Sequence, residues 1–125
     1  MILMDSSGWV EIAGAGPRAP AFLDALGQSE DTVVPTVVVR EVYRAVELQA
    51  GRDQADLIAR YLAKLQVVPL DFDLAVGAAR LARELGLALA DSIIYATAQA
   101  TGATVVTGDA DFAELPQVMY IPLES

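Results

Sequence analysis

The sequence predicts a three-layer α/β domain, with a central, mostly parallel sheet of about four to five short strands and helices on both faces. Short apolar runs alternate with longer stretches whose apolar residues recur at helical spacing. Glycines and prolines punctuate the boundaries between them. The 125 residues suit one domain, 1–125, able to bury a core of its own.

Ile2-Leu3-Met4 reads as a buried strand ending at Asp5. Ser6–Ile12 is expected to form a short helix, stopped by Gly14, Gly16 and Pro17. Pro20–Leu26 reads as a second helix, with Phe22, Leu23 and Leu26 on one face. Thr32-Val33-Val34 is a strand closed by Pro35. Thr36 is then the expected N-cap of a helix to Ala50, with Gly51 as its stop. Asp53 opens another helix, in which Leu57, Ile58, Tyr61, Leu62 and Leu65 share a face. Val67–Leu70 reads as a strand, and Asp73 as the cap of a helix running to Leu85, ended by Gly86. Asp91 lies at the start of a helix to Thr101, ended by Gly102. Thr104-Val105-Val106-Thr107 is the clearest strand, and Met119-Tyr120-Ile121 a final short one.

Composition narrows the chemistry. A hydrophobic fraction of 54% excludes a disordered chain. No apolar run reaches the ~20 residues of a membrane span, so no membrane association is expected. Met1–Asp5 has no basic stretch ahead of its apolar run and meets an acid too soon for a signal peptide, which predicts a cytoplasmic protein. With no cysteine and no histidine, disulfides, thiolate or imidazole metal ligands and histidine bases are excluded. Any metal must be held by oxygen, which favours Mg²⁺ or Mn²⁺. The net charge of −9 argues against bulk phosphate binding and suits a basic partner. Positive charge for a nucleic acid would have to come from a metal or a small arginine patch.

In a parallel sheet, ligands gather at the carboxyl ends of the strands. Asp5 follows the first strand and Asp109 lies two residues beyond Thr107, so both are expected on one rim. Singly, these acids have plainer readings. Asp5 could form a turn or cap with Ser6 and Ser7, Glu41 suits the dipole near a helix start, and Asp91 could be an N-cap beside Ser92. Thr107-Gly108-Asp109-Ala110-Asp111-Phe112 is harder to read as a turn alone, since two acids and a threonine follow a buried strand. Four carboxylates on one rim would repel one another, at about 4 kcal/mol per pair 4 Å apart at an effective dielectric near 20.

Four stretches together resemble the PIN-domain family, and more narrowly the VapC-type toxins of toxin–antitoxin pairs. They are Met1–Ser7, Val37–Val42, Leu89–Ala98 and Val105–Phe112, in order along the whole chain. The third is the most specific. The resemblance implies a metal-dependent endoribonuclease that hydrolyses RNA phosphodiester bonds with Mg²⁺ or Mn²⁺. It places Asp5, Glu41, Asp91 and Asp109 as catalytic, metal-binding acids. Because Mg²⁺ takes few direct carboxylates, Asp5 and Asp91 are the expected direct ligands, and Glu41 and Asp109 are ligands, acceptors from metal-bound water or water-orienting groups. Thr107 and Ser6 match supporting hydroxyls. Asp111 matches a further acid, so the choice of main ligand between Asp109 and Asp111 stays open, with Asp109 favoured. It also implies a homodimer and a small antitoxin that sets basic side chains against the acids.

Arg40 and Arg44, one turn apart, either grip RNA phosphates or pair with Glu47 at the surface. Arg80 and Arg83 with Glu84 read as a solvated face, and Trp9 and Tyr95 as core or interface. Gly14 and Gly16 lack the Lys and Ser/Thr of a phosphate loop. Asp71-Phe72-Asp73 mimics a phosphatase strand end, but Asp73 as a helix cap is the simpler reading. Two rivals remain: a phosphatase or receiver-like domain using a strand-end Asp, and a PIN module that only binds a partner.

Overall fold

A computed structural model describes residues 1–123. Its five strands are β1 (Ile2–Met4), β2 (Thr32–Pro35), β3 (Gln66–Val68), β4 (Thr104–Thr107) and β5 (Val118–Tyr120). They form one sheet in the order β3-β2-β1-β4-β5, parallel throughout. The first-made strand is therefore central, and Leu3, Met4, Val33, Val34, Val105 and Val106 are fully buried. Strands covered on both faces need unbroken apolar runs, which is what these segments offer. At the open edge, Gln66 and Val67 of β3 are exposed.

Among the described residues six α-helices flank the sheet: α1 (Ser6–Ala13), α2 (Ala19–Gly27), α3 (Thr36–Ala50), α4 (Arg52–Leu62), α5 (Phe72–Leu85) and α6 (Leu89–Thr101). α1 packs on β1 and β4, whereas α6 packs on β2 and β4. Trp9 and Tyr95 are core residues, each 1% exposed. α5 and α6 end at Gly86 and Gly102, whose φ of 69° and 75° suit glycine far better than a residue with a Cβ. Among the described residues, no helix is long and apolar enough to cross a membrane.

Several local expectations shift. Thr36 is the first residue of α3 rather than its cap. Pro35 ends β2 in an extended conformation and the helix begins at once, with no loop to supply a capping side chain. Asp71, not Asp73, caps α5, its carboxylate accepting the Leu74 N–H at 2.9 Å. Asp73 falls in the first turn, where it complements the dipole. On α2 the buried residues are Ala19, Phe22 and Ala25, leaving Leu23 half exposed. On α4 Ala55 and Leu62 are buried, while Leu57 and Tyr61 stay half exposed, Tyr61 with its ring edge-on to Trp9 at 5.9 Å between centroids. β3 stops at Val68, because Pro69 has no N–H for the ladder. The turn of 3₁₀ helix at Ala110–Phe112 had no counterpart in the sequence reading.

Candidate active site

The pairing of β1 with β4 sets the site. Met4 is opposite Val106, so the next residues, Asp5 and Thr107, meet at the carboxyl rim. The Thr107 hydroxyl donates to Asp5 Oδ2 at 2.6 Å. Asp5 also caps α1, its Oδ1 accepting the Gly8 N–H at 3.3 Å and the Ser7 hydroxyl at 2.5 Å. Space for that cap depends on Gly8, where a Cβ would lie 2.6 Å from Met4 Cγ and 2.9 Å from Phe22 Cδ1. Both oxygens of the Asp5 carboxylate are thus engaged, and the residue is buried.

Thr107 serves two acids. Its Oγ1 also accepts the Asp109 N–H at 2.9 Å, and Asp109 Oδ1 in turn accepts the Asp111 N–H at 2.9 Å. Phe112, fully buried, anchors the far end of this loop beside the Tyr95 ring, 6.5 Å between centroids. Tyr95 lies one turn after Asp91 on α6, and its hydroxyl donates to Pro116 O at 2.8 Å. One helix therefore presents Asp91 and secures the loop that bears Asp109 and Asp111.

The carboxylates of Asp91, Asp109 and Asp111 converge, each offering an oxygen within 4.8 Å of the others. The Asp91 carboxyl is pushed up to about 6, by burial first and then by Asp109, Asp111, Asp5 and Glu41. Burial also raises Asp5, against the hydrogen bonds from Ser7, Thr107 and Gly8, and Asp109 adds to the rise. Glu41, in the second turn of α3, is raised by burial and by Asp5, with the Ser6 hydroxyl and Arg40 pulling the other way. Its Oε1 is buried and has no hydrogen-bond partner among the described residues. Nor, among these residues, does any arginine or lysine form an ion pair with the five acids.

All four sequence-chosen acids lie at this rim, and Asp109 and Asp111 both bring a carboxylate oxygen to within 4.8 Å of that of Asp91. The hydroxyl on Asp5 comes from Ser7, however, while Ser6 turns toward Glu41. Ser7 Oγ also accepts the Gly108 N–H at 2.9 Å, a link the sequence reading missed. Arg40 and Arg44 are exposed and line a mainly apolar groove of about 560 Å³ with Val39, Tyr43, Ala59 and Val67. Arg40 lies between that groove and Glu41.

The donors fit a hard divalent cation. They are all oxygen, three converge, Asp91 holds its proton unusually well without a counter-charge, and a buried Glu41 oxygen lacks a donor.

The family model for the PIN domain matches residues 2–118. No curated protein matches the chain. Among solved structures, a toxin–antitoxin complex from Klebsiella pneumoniae has a TM-score of 0.82 at 22% identity, over 98% of this chain and 100% of that one. VapC20 of Mycobacterium tuberculosis, described as a sarcin–ricin loop cleaving toxin, has a TM-score of 0.78 at 18% identity, over 100% of both chains. FitAcB from Neisseria gonorrhoeae has a TM-score of 0.64 at 28% identity, over 89% of each chain.

Proposed function

The chain belongs to the PIN-domain family, and from that premise we propose that it is a metal-dependent endoribonuclease, the toxin of a VapBC-type toxin–antitoxin pair. The observation that carries the proposal is the convergence of Asp91, Asp109 and Asp111 within 4.8 Å, beside Asp5 and Glu41. So much negative charge without an ion pair is destabilising unless a cation joins it.

In this reading Asp91, Asp109 and Asp111 hold Mg²⁺ or Mn²⁺. Bound there, the ion would acidify a water and offset the charge that builds on the phosphate in hydrolysis. Asp5, with both oxygens engaged, adds negative charge behind the cluster and orients Thr107. Each of its carboxylate oxygens keeps a second lone pair, and in this reading Asp5 also reaches the ion directly. The unpartnered Oε1 of Glu41 suits a hydrogen bond from the attacking water, and its raised pKa suits a proton acceptor. Arg40 and Arg44 would take RNA phosphates next to Glu41.

The proposed partner is a small antitoxin whose basic side chains answer the −9 charge. The similarity to a toxin–antitoxin complex supports it. A homodimer in the cytoplasm completes the reading, with exposed Phe72 and Leu89 as apolar surface for it, and sedimentation velocity tests it. A phosphatase reading built on Asp71 finds little support, since that carboxylate is the cap of α5.

The test is RNA cleavage with Mg²⁺ or Mn²⁺, with EDTA, and with Asp5→Asn and Asp91→Asn. EDTA should abolish cleavage, and each variant should lose about 100-fold or more. Cleavage that persists in EDTA, or full activity in both variants, would overturn the proposal.

A further inference from the structure

Arg18 stands outside the acidic rim but is tied to it. It occupies the N-cap position of α2, and α1 holds its guanidinium through Glu11. Arg18 Nε donates to Glu11 Oε1 at 3.0 Å, Nη2 pairs with the same oxygen at 2.9 Å, and the Arg18 N–H donates to Glu11 Oε2 at 3.2 Å. The two side chains are only 19% and 12% exposed. Nη1 is left to reach across the fold, donating to Gly108 O at 3.2 Å and Ile121 O at 3.3 Å. The first carbonyl follows β4 and the second follows β5.

Gly108 immediately precedes Asp109, and its peptide groups are gripped from two sides. Its N–H goes to Ser7 Oγ, and its carbonyl takes Arg18 Nη1. The residue must also be small, because a Cβ there would collide with Nη1 and sit 3.0 Å from Cζ. Hydrogen bonds from a charged guanidinium are strong, and its planar fork can face Glu11 and two carbonyls at once. A lysine ammonium has no such fork.

We propose that Arg18 is the positioning residue of the acid-bearing loop: by holding the Gly108 carbonyl it keeps Asp109 and Asp111 beside Asp91. The consequence for metal binding rests on the nuclease reading above, whereas the clamp itself does not.

The test uses the full chain and the variants Arg18→Met, Arg18→Lys and Gly108→Ala, the last leaving Arg18 in place but displacing its guanidinium. Deuterium exchange of the metal-free proteins reads the clamp directly. Amides of residues 109–113 should exchange faster in all three variants, while those of β1 and α6 stay as protected as in the parent. Calorimetric titration with Mn²⁺ should show affinity weakened by about 10- to 100-fold, the range for losing a group that orients metal ligands. Excess Mn²⁺ should restore RNA cleavage in Arg18→Met but not in Asp91→Asn, a distinction that general destabilisation would not produce. Should Arg18→Met fail to fold, Glu11→Gln and Gly108→Ala put the same question more gently. Unchanged exchange in the loop overturns the proposal, as does a loosened loop that binds Mn²⁺ as tightly as the parent. If the parent binds no Mn²⁺ while the variants loosen the loop, the metal reading fails and the clamp stands.

Discussion

Thr107 illustrates how a single hydroxyl organises several acids. It is wholly buried, donates to Asp5 and accepts from the Asp109 backbone. Thr107→Val keeps the volume and removes both hydrogen bonds, so urea unfolding should report a loss of about 1–3 kcal/mol and cleavage should fall with it. Asp91 gives a pH test with a definite sign. Its folded pKa of about 6 lies above the 3.8 of an unperturbed aspartate, so between those limits the folded chain binds a proton that the unfolded chain releases. Metal-free stability is therefore greatest below that window and is lost as pH rises through it; Asp5 and Glu41, raised as well, act in the same direction. In EDTA the melting temperature should be higher near about pH 5 than near about pH 8, and Asp91→Asn should narrow the gap. Added Mn²⁺ should raise the higher-pH value in the parent alone. A gap unaffected by Asp91→Asn would remove this account. That Asp5 and Asp109 share a rim was legible because a parallel sheet brings the carboxyl ends of its strands to one side; the Thr107 hydroxyl was offered only by the family resemblance. Ser7 was not separable from Ser6, since only the phase of the first turn of α1 decides which hydroxyl returns to Asp5. Arg18 gave no local signal at all, because its Gly108 partner lies 90 residues away.

At the scale of elements, the apolar runs and periodicities predicted the five strands and six α-helices of the described residues, most boundaries being displaced by a residue or two. Burial faces were harder to read. A count of large apolar residues favoured Leu23, Leu57 and Tyr61, yet the tight approach to the core uses Ala19, Ala25 and Ala55. Small side chains bring a helix close to its neighbours without standing out in a sequence. Caps failed for a different reason. Asp71 and Asp73 are both good capping residues, and the choice depends on where the chain leaves β3. Asp71→Ala should cost about 1 kcal/mol by urea denaturation while leaving RNA cleavage unchanged. Release of inorganic phosphate from small esters, lost in a stably folded Asp71→Ala, would revive the phosphatase reading.

For the molecule as a whole, the acids come from positions 5, 41, 91, 109 and 111 and meet only in the finished sheet. Composition limited any metal ligands to oxygen, and the net charge of −9 fits an acidic rim, but neither could show that Asp109 and Asp111 both converge on Asp91. That depends on a 3₁₀ turn too short to leave a periodicity. The central place of β1 has a consequence for how the protein is made. Thr107 and Asp5 are 102 residues apart, so β1 must wait for nearly the whole chain before its second neighbour exists. Pairing over such a distance closes a large loop and is slow. A chain stopped after Ala103 lacks β4 and should show no cooperative thermal transition by circular dichroism. During translation, then, the acidic centre stays unassembled until the segment after β4 clears the ribosome, so the convergent carboxylates of Asp91, Asp109 and Asp111 do not exist while that segment is still unmade.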